Sequence, residues 1–279
     1  MTLRSVLVTG CSSGIGRTAA LGLKARGWRV FATARKPEDL AALDRLGLET
    51  VHLDYADPAS IAAAADAVLA RTDGRLDALF NNGAYGQPGA LEDLSTDLLR
   101  AQFEANLFGW HDLTRRVVPA MRARGSGRIV QCSSILGIVA LKYRGAYIAS
   151  KFALEGLTDT LRQELDGSGI RVSTIRPGPI ASRFVEHSMA RFHATIDIEG
   201  SAHREVYRRR LERMAKGGAN RFKLPPEAVL AKLIHALESP NPRPYYAVTT
   251  PTVLMGWARR VLPDRLLVWG LGRVSDSEQ

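Results

Sequence analysis

The segment Ser5-Val6-Leu7-Val8-Thr9-Gly10-Cys11-Ser12-Ser13-Gly14-Ile15-Gly16 joins a short apolar run to a stretch with helical periodicity. Its glycines allow the backbone to turn tightly and to approach a pyrophosphate closely. The N-terminus of the following helix would offer free N–H groups and the positive end of the helix dipole. A glycine-rich turn between the first strand and the first helix therefore indicates a nucleotide-binding loop, provided that strands and helices continue to alternate.

The alternation does continue along the chain. Short apolar runs are separated by longer stretches with helical periodicity, which predicts parallel strands joined by right-handed crossovers. We expect an α/β fold with a single-domain, doubly wound parallel sheet of the Rossmann type and helices on both faces. The predicted strands are residues 5–9, 28–33, 50–53, 76–80, 128–132, 170–175 and 245–248; the predicted helices are residues 16–26, 58–71, 97–124, 146–165 and 225–238.

The composition excludes several classes of protein. The 279 residues suffice for one large core. The formal net charge of +10 would suit an anionic partner, but the first two hundred residues carry no aromatic-basic pattern of a nucleic-acid module. We therefore expect a solvated basic surface and no nucleic-acid partner. The start shows no signal-peptide pattern and no apolar run has the length of a bilayer span, so we expect a cytoplasmic protein. Cys11 and Cys132 lack metal-ligand spacing and are predicted to be buried free thiols, with no metal site.

A second decisive segment is Tyr147-Ile148-Ala149-Ser150-Lys151, which places a tyrosine and a lysine on one helix face. Moving a phenol pKa from near 10 to about 7 requires roughly 4 kcal/mol. One ammonium about 4 Å away supplies on the order of 4 kcal/mol at an effective dielectric of about 20. The lysine could thus make the tyrosine a usable acid and base, although this spacing also arises by chance on many helices.

Five motifs in order resemble those of the classical short-chain dehydrogenases and reductases, over roughly residues 5–182. They are the glycine loop, the segment Asn81-Asn82-Gly83-Ala84, the helix residue Asn106, the serine Ser134 thirteen residues before Tyr147 in Tyr-x-x-x-Lys, and Pro177-Gly178 followed by Ser182. Gly83-Ala84 transposes the family's Ala-Gly, and Ser182 replaces the usual threonine. Together with Arg35, the segment Phe152-Ala153-Leu154-Glu155-Gly156 and the tail, the chain is similar to the steroid- and retinoid-type branch.

The resemblance implies a role for each of four residues. Tyr147 would exchange the proton of the substrate hydroxyl, and Lys151 would keep the phenolate accessible and bind the nicotinamide ribose. Ser134 would position and polarise the substrate oxygen, and Asn106 would support a water that connects the lysine to solvent. The structural alternatives are a cap or kink of the helix for Asn106 and a turn for Ser134.

The end of the second strand indicates the cofactor. NAD-specific sites carry an acid there, whereas a nearby arginine suits the 2′-phosphate. Because Arg35 and Lys36 follow the strand, we expect NADP(H), with NAD(H) as the alternative. The predicted cofactor-binding residues are Gly10, Ser12, Ser13, Gly14, Ile15, Gly16, Arg35, Asp54, Asn82, Gly83, Tyr147, Lys151, Pro177, Gly178, Ile180 and Ser182.

Residues 183–223 follow the sixth strand and are predicted to form a lid over the substrate. Their apolar side chains favour a hydrophobic alcohol, ketone or aldehyde, and the predicted substrate residues are Tyr85, Ser134, Phe184 and Met189. The arginines of this segment could instead face a carboxylate or water. His187 and His193 are interpreted as lid or surface residues.

Residues 1–249 are predicted to form the catalytic domain, and residues 250–279 an amphipathic extension packed on it. Two amphipathic pieces of the extension are divided by Pro263. Packing against the lid or a partner subunit is favoured over weak contact with a membrane surface. The helices around Asn106 and Tyr147 resemble those that pair subunits in the family, so we expect a dimer or tetramer.

The sequence therefore predicts an NADP(H)-dependent oxidoreductase that interconverts a hydroxyl and a carbonyl. Two alternatives stay open: a non-catalytic nucleotide-binding regulatory protein on the same fold, and a dehydratase or epimerase that uses bound cofactor. The presence of both Tyr147 and Lys151 argues against the first of these, and net turnover of cofactor would separate the second.

Overall fold

A seven-stranded, wholly parallel sheet forms the centre of the protein in a computed structural model that describes residues 3–215 and 222–277. The strand order is β3-β2-β1-β4-β5-β6-β7. This arrangement confirms the predicted α/β class and doubly wound parallel sheet. The strands are β1 Ser5–Val8, β2 Arg29–Ala34, β3 Glu49–His52, β4 Ala78–Asn81, β5 Gly127–Cys132, β6 Ile170–Arg176 and β7 Tyr245–Ala247.

The direction of winding reverses between β1 and β4. From β1 the chain proceeds outward to β2 and β3, then returns to β4 and continues outward on the other side. Right-handed crossovers in opposite directions place helices on opposite faces of the sheet. In the register of β1 and β4, Val6 is paired with Ala78 and Val8 with Phe80. The loops that follow these two strands therefore begin side by side and border the crevice in which such sheets bind ligands.

Helices cover both faces of the sheet. Helix α1 packs against α9, and α3 packs against α5. The helices are α1 Gly14–Ala25, α2 Pro37–Asp44, α3 Pro58–Arg71, α4 Thr96–Phe103, α5 Gly109–Arg124, α6 Gly145–Glu164, α7 Phe184–Thr195, α8 Arg204–Ala215, α9 Glu227–Glu238, α10 Thr250–Val261 and α11 Asp264–Ser277.

Two helical regions differ from the prediction. The stretch expected as one helix over residues 97–124 is interrupted between α4 and α5 by a π-helical turn, Glu104–Phe108. The prediction was wrong there because periodicity cannot distinguish a continuous helix from one with a single wide turn. Helix α2 was not predicted at all. It is only eight residues long and Leu43 is its only buried residue, so its apolar pattern is weak.

The core is built from the strands, whose apolar residues are buried on both faces as the sequence predicted. Both cysteines lie in this core as free thiols, in agreement with the prediction. Burial raises the pKa of the Cys11 thiol to about 12 and that of Cys132 to about 11, so both stay protonated. In the part of the chain that the structure describes, no helix combines the length and apolarity needed to traverse a membrane.

The predicted lid contains α7 and α8, which enclose a small apolar cluster of their own around Phe192, Ile196 and Tyr207. The extension contains α10 and α11. Its Ser275 hydroxyl accepts a hydrogen bond from the backbone N–H of Lys142, 3.1 Å away, and the Ser275 carbonyl accepts one from Arg210 of α8. Residues 216–221 of the predicted lid and 278–279 of the predicted extension lie outside the described residues.

Candidate active site

Glycines bring three chain segments together at the carboxyl edge of the sheet. Gly10 and Gly14 have φ angles of +70° and +54°, a backbone region that disfavours other residues. A Cβ atom at Gly16 would lie 2.2 Å from the carbonyl oxygen of Gly10, and one at Gly14 would lie 2.9 Å from the Cβ of Ser182. The loop thus forms a tight cradle, and Ser182 stands at the start of α1 as predicted for a cofactor site.

The N-terminus of α1 is available to an anion. The helix begins at Gly14, and the side chain of Ser13 makes no capping hydrogen bond to it. The first backbone N–H groups therefore have no partner within the helix, which is the arrangement that binds a pyrophosphate. Ser12, Ser13 and Ile15 are all half-buried beside this helix end, so each is accessible to a ligand there.

The cradle touches the segment after β4. A Cβ atom at Gly10 would lie 2.5 Å from the Cα of Gly83, so the two backbones are in direct contact. A Cβ atom at Gly83 would lie 3.2 Å from the Gly10 nitrogen, a tight fit. In the transposed Gly83-Ala84 pair, the glycine is therefore the residue that contacts the glycine loop at Gly10. The Asn82 side chain ties the segments together by donating to the Thr9 carbonyl, at 3.0 Å.

Arg35 is exposed directly after β2, and no acidic residue occupies the end of that strand. Because β2 lies beside β1, Arg35 is on the cradle's side of the sheet. Asp54 follows β3, and its carboxylate accepts a hydrogen bond from the Ala56 N–H at 3.0 Å, which forms a turn. Its side chain is half-buried, so the turn leaves it partly accessible.

The segment after β6 completes this edge. The Pro177 carbonyl accepts a hydrogen bond from the N–H of Ile135, at 2.7 Å, next to Ser134. A Cβ atom at Gly178 would lie 2.0 Å from the Thr249 hydroxyl oxygen, so a larger residue would displace the start of α10. Ile180 forms a parallel bridge with Leu224. Pro177, Gly178, Ile180 and Ser182 thus lie between the cradle, the catalytic candidates and the lid.

Ser134 and Tyr147 face each other across this edge. Ser134 lies two residues after the end of β5, and its hydroxyl accepts a hydrogen bond from the Leu136 N–H at 3.1 Å. Tyr147 lies in the first turn of α6 and is half-buried. A hydrogen bond with Ser134 acts to lower the pKa of the phenol. Ser134 therefore caps a 3₁₀ turn, which agrees with the turn alternative, and its hydroxyl also contacts the tyrosine.

Lys151 lies one helical turn beyond Tyr147, and its relative exposure is 1%. Its ammonium donates a hydrogen bond to the Cys132 carbonyl at 2.9 Å and lies 4.1 Å from the ring centroid of Trp110. The centroid of the Tyr147 ring is 5.7 Å from the same nitrogen. No carboxylate of residues 3–215 or 222–277 lies within ion-pair distance of this buried ammonium, which is held by a carbonyl and two aromatic rings.

The pKa values correct one expectation. Burial raises the pKa of Tyr147 above its ordinary value, the negative charge that Cys132 carries when ionised acts in the same direction, and the contact with Ser134 lowers it. Burial also lowers the pKa of Lys151 to about 8, against smaller upward effects of Cys132 and Glu155. The predicted lowering of the tyrosine pKa by the lysine is wrong for the protein alone, because desolvation dominates and the opposing influence comes from Ser134 and not from Lys151.

Asn106 lies in the π-helical turn and is completely buried. Its amide donates to the Tyr85 carbonyl at 2.9 Å and accepts from the Tyr85 N–H at 3.2 Å. The amide nitrogen also lies 3.4 Å from the Ser150 hydroxyl, which neighbours Lys151. A widened turn is a common feature of functional sites, and here it directs the asparagine between the Tyr85 backbone and α6.

The predicted substrate residues divide into two groups. The Phe184 ring of α7 lies 5.4 Å from the Tyr147 ring, so the lid reaches the catalytic candidate. Tyr85 is half-buried, and the Arg191 guanidinium of α7 lies 4.1 Å above its ring. Met189, by contrast, packs against the cluster inside the lid. The structure therefore brings Phe184 to Tyr147, places Tyr85 against α7 of the lid, and leaves Met189 inside the lid cluster.

Two residues of the site were missed in the sequence. Trp110 stacks on Lys151, and its indole N–H donates to the Gly83 carbonyl at 2.8 Å. Its position four residues after Asn106 could have indicated a shared helix face. Tyr55 is buried, and its phenol donates to the Asn81 side chain at 2.6 Å. Nothing in the sequence pattern distinguishes it from an ordinary core tyrosine.

Comparison with protein families gives a match to the short chain dehydrogenase model over residues 4–191. An uncharacterized oxidoreductase, YbbO, of Escherichia coli K12 is 43% identical over 264 residues, which are 95% of this chain and 92% of the relative. Human 17-beta-hydroxysteroid dehydrogenase type 1 is 38% identical over 196 residues, which are 65% of this chain and 58% of the human enzyme.

Solved structures repeat the same architecture. A short-chain dehydrogenase from Streptomyces avermitilis superposes with a TM-score of 0.77 at 30% identity and covers 99% of this chain and 98% of its own. A Burkholderia phymatum structure in complex with NAD gives 0.76 at 25% identity, covering 93% and 92%. A single-residue variant of the actinorhodin polyketide ketoreductase with NADPH gives a TM-score of 0.70 at 30% identity, covering 88% of this chain and 95% of its own. Neighbours of this fold thus hold either nicotinamide cofactor.

Proposed function

The chain belongs to the short chain dehydrogenase family, and from that premise we propose that it is an NADP(H)-dependent oxidoreductase that interconverts a hydroxyl and a carbonyl on a hydrophobic small molecule. One observation carries this proposal. Ser134, Tyr147 and Lys151 meet at the carboxyl edge of the sheet, beside a glycine cradle whose neighbours leave no room for a side chain. A proton-transfer group and a cofactor loop therefore share one crevice.

The cradle fits a dinucleotide. The close contacts of Gly10, Gly14 and Gly16 and the free N-terminus of α1 supply backbone N–H groups without obstructing side chains. When bound, the nicotinamide cofactor supplies or accepts the hydride. The residues that would hold it are the predicted set around the cradle, with Lys151 directed towards the ribose and Asp54 towards the adenine.

Tyr147 is the acid and base of the proposed reaction. Because its surroundings raise the phenol pKa, the protein alone holds the tyrosine protonated near neutral pH. A protonated phenol beside the Ser134 hydroxyl can donate a proton to the oxygen of a carbonyl substrate while Ser134 polarises that oxygen.

The preference for NADP(H) rests on Arg35. Its guanidinium is exposed after β2 on the cradle's side of the sheet, where an acid would select NAD. Arg35 has no carboxylate partner among the described residues, so its charge is available to a 2′-phosphate. The hydrophobic character of the substrate rests on Phe184, whose ring lies over Tyr147.

The catalytic unit is proposed to be residues 1–249, with residues 183–223 as the lid and residues 250–279 packed on the same unit. The contacts of α11 with Lys142 and Arg210 support this organisation. A homodimer or tetramer is the proposed assembly, and the exposed Phe108 of the π-helical turn is a candidate contact.

The proposal is tested by NADPH oxidation with ketones and aldehydes of increasing size. We expect turnover that improves with apolar size, and a loss of roughly 10²–10⁴-fold in kcat for Tyr147→Phe. Ser134→Ala should lose about 10²–10³-fold. The adjacent Ser133 provides a matched control, because its buried hydroxyl has no hydrogen-bond partner among the described residues. Ser133→Ala should retain activity.

Three results would contradict the proposal. Equal activity of Tyr147→Phe and the native protein would remove the catalytic assignment. Tight cofactor binding without turnover of any carbonyl compound would favour the regulatory alternative. Conversion of a substrate without net consumption of NADPH would favour a dehydratase or epimerase.

A further inference from the structure

The extension carries a concentration of exposed apolar side chains. Of the seventeen large apolar side chains that are exposed in the described residues, nine lie between residues 253 and 274. Trp257 and Trp269 are 64% and 63% exposed, whereas the other two tryptophans of the chain, Trp28 and Trp110, are buried. Scattered exposed apolar residues are ordinary, but a cluster of this kind in one segment marks an interaction surface.

The exposed residues follow one side of each helix. In α10, Val253, Trp257 and Val261 recur at intervals of four, and all three are exposed. The opposite side contains the buried Thr252, together with Arg259, which donates to the Ile138 carbonyl and stacks on Phe152. Residues four apart share a helix face, so α10 has one side on the domain and one apolar side in solvent.

Helix α11 repeats this division. Leu267 and Leu271 are half-buried and Ser275 is buried, so this line faces the domain. Leu266 and Trp269 are exposed, and so is the neighbouring Val268, at 70%. Leu254 of α10 is also exposed, at 57%, and we define the extension face as Val253, Leu254, Trp257, Val261, Leu266, Val268 and Trp269.

Positive charge accompanies the extension face. Arg260 and Arg265 are exposed and form no ion pair with any described residue. Arg273 is exposed and stacks on Trp269, with its guanidinium 5.6 Å from the ring. Aromatic and aliphatic side chains bordered by unpaired arginines are the composition of helices that lie in the interface of an anionic bilayer. Two identical copies joined by this face would oppose like charges on a chain whose net charge is already +10.

We propose that the extension face docks the protein on an anionic phospholipid surface, with α10 and α11 lying in the plane of the interface. The contacts of Arg259 with Ile138 and of Ser275 with Arg210 join both helices to the segment after Ser134 and to the lid. Docking therefore places the lid side of the protein next to the lipid. Binding to lipid needs no turnover, so it is independent of the proposed reaction.

The test is flotation of the full-length protein with phosphatidylcholine vesicles that contain or lack phosphatidylglycerol, combined with tryptophan fluorescence. We expect flotation with the anionic vesicles and a blue shift of the emission. Trp257→Ser with Trp269→Ser should abolish both. Arg260→Gln with Arg265→Gln should weaken binding about 25-fold, at about fivefold per arginine. Arg75→Gln with Arg171→Gln, exposed at the amino edge of the sheet, is the matched control and should bind like the native protein.

Every substituted side chain is exposed, so we expect each variant to fold like the native protein. Thermal unfolding of each variant checks this. Absence of flotation with anionic vesicles overturns the proposal, as does equal binding by the native protein and the tryptophan variant. Light scattering gives the remaining outcome: a lower oligomeric state of the tryptophan variant would show that a second copy covers the face, and that result also overturns lipid docking.

Discussion

The ammonium of Lys151 lies 4.1 Å from the ring centroid of Trp110, and the indole N–H of Trp110 donates to the carbonyl of Gly83. One buried side chain thus connects the candidate catalytic lysine to the segment that contacts the glycine cradle. The stacking favours the charged form of the lysine, which burial disfavours. Trp110 is therefore a positioning residue for both halves of the site.

Substitution of Trp110 should separate these two contributions. Trp110→Phe keeps an aromatic face but leaves the Gly83 carbonyl without its donor, so we expect stability to fall by about 1–3 kcal/mol with little change in the titration of Lys151. Trp110→Leu also removes the ring, and the pKa of Lys151 should then fall further. NMR titration of labelled lysine measures the effect. The same lysine titration in both variants would contradict the stacking argument.

The pH dependence of stability should report the burial of Lys151. Its pKa of about 8 in the folded protein lies below the ordinary value of 10.5. Between these values the unfolded chain binds more protons, so the contribution of Lys151 to stability rises with pH. The stability of the native protein relative to Lys151→Met should therefore increase by roughly 3 kcal/mol across that window.

Urea unfolding below and above this window measures the Lys151 difference. Lys24→Met is the control, because Lys24 is exposed and its ammonium donates a hydrogen bond to the Leu46 carbonyl at 2.9 Å. A constant stability difference between native protein and Lys151→Met at all pH values would disprove the assigned burial effect.

Asn106→Ala should be costly although Asn106 lies outside the direct contact of Ser134 and Tyr147. The substitution leaves the Tyr85 N–H without its side-chain acceptor, at about 1–3 kcal/mol for a buried group, whereas the Tyr85 carbonyl keeps the hydrogen bond that it accepts from Gln102. Chemical unfolding gives the loss. Ser150→Ala removes the 3.4 Å contact on the other side of the amide and the hydrogen bond that its hydroxyl donates to the Tyr147 carbonyl, and should lose about 1 kcal/mol. Similar losses for the two variants would indicate that Asn106 does not hold the Tyr85 backbone.

Arg35→Glu should reverse the cofactor preference. Loss of a charge-assisted contact with the 2′-phosphate costs about 1.5–3 kcal/mol, so kcat/KM with NADPH should fall by about 10–150-fold while NADH is favoured. Lys36 is the matched control: it is also exposed, and its ammonium lies 3.7 Å from the Glu38 carboxylate. Lys36→Gln should change the NADPH-to-NADH ratio less. A native preference for NADH would refute the NADP(H) assignment.

Tyr207 should hold the lid against the rest of the domain. The buried phenol of Tyr207 donates to the Asp93 carboxylate and accepts from the Ala90 N–H at 2.7 Å. Tyr207→Phe removes both bonds, so proteolysis within residues 183–215 should accelerate about tenfold and KM for the carbonyl substrate should rise. Tyr245 also donates to a carboxylate, that of Asp159 at 2.8 Å, but on β7. Tyr245→Phe should leave lid cleavage unchanged, and equal cleavage of all three proteins would contradict this function of Tyr207.

Local spacing was enough to predict the parallel sheet, the glycine loop and the alignment of Tyr147 with Lys151. Strand alternation and i,i+4 geometry are properties of the chain itself, and the resemblance of five ordered motifs added Ser134, Asn106 and the cofactor residues. The structure brings these residues to one edge because parallel strands end at the same side of the sheet.

Only the tertiary structure decided what surrounds these groups. Whether Lys151 lowers the tyrosine pKa depends on how far the phenol is desolvated, and burial of Tyr147 gave its pKa a shift opposite in sign to the expected one. The π-helical turn at Asn106, the Phe184 ring over Tyr147 and the solvent-facing side of α10 and α11 likewise arise from contacts between segments distant in sequence. The spacing of residues along the chain determines which side chains share one face of a helix or strand. Tertiary packing determines whether that face contacts other residues or solvent.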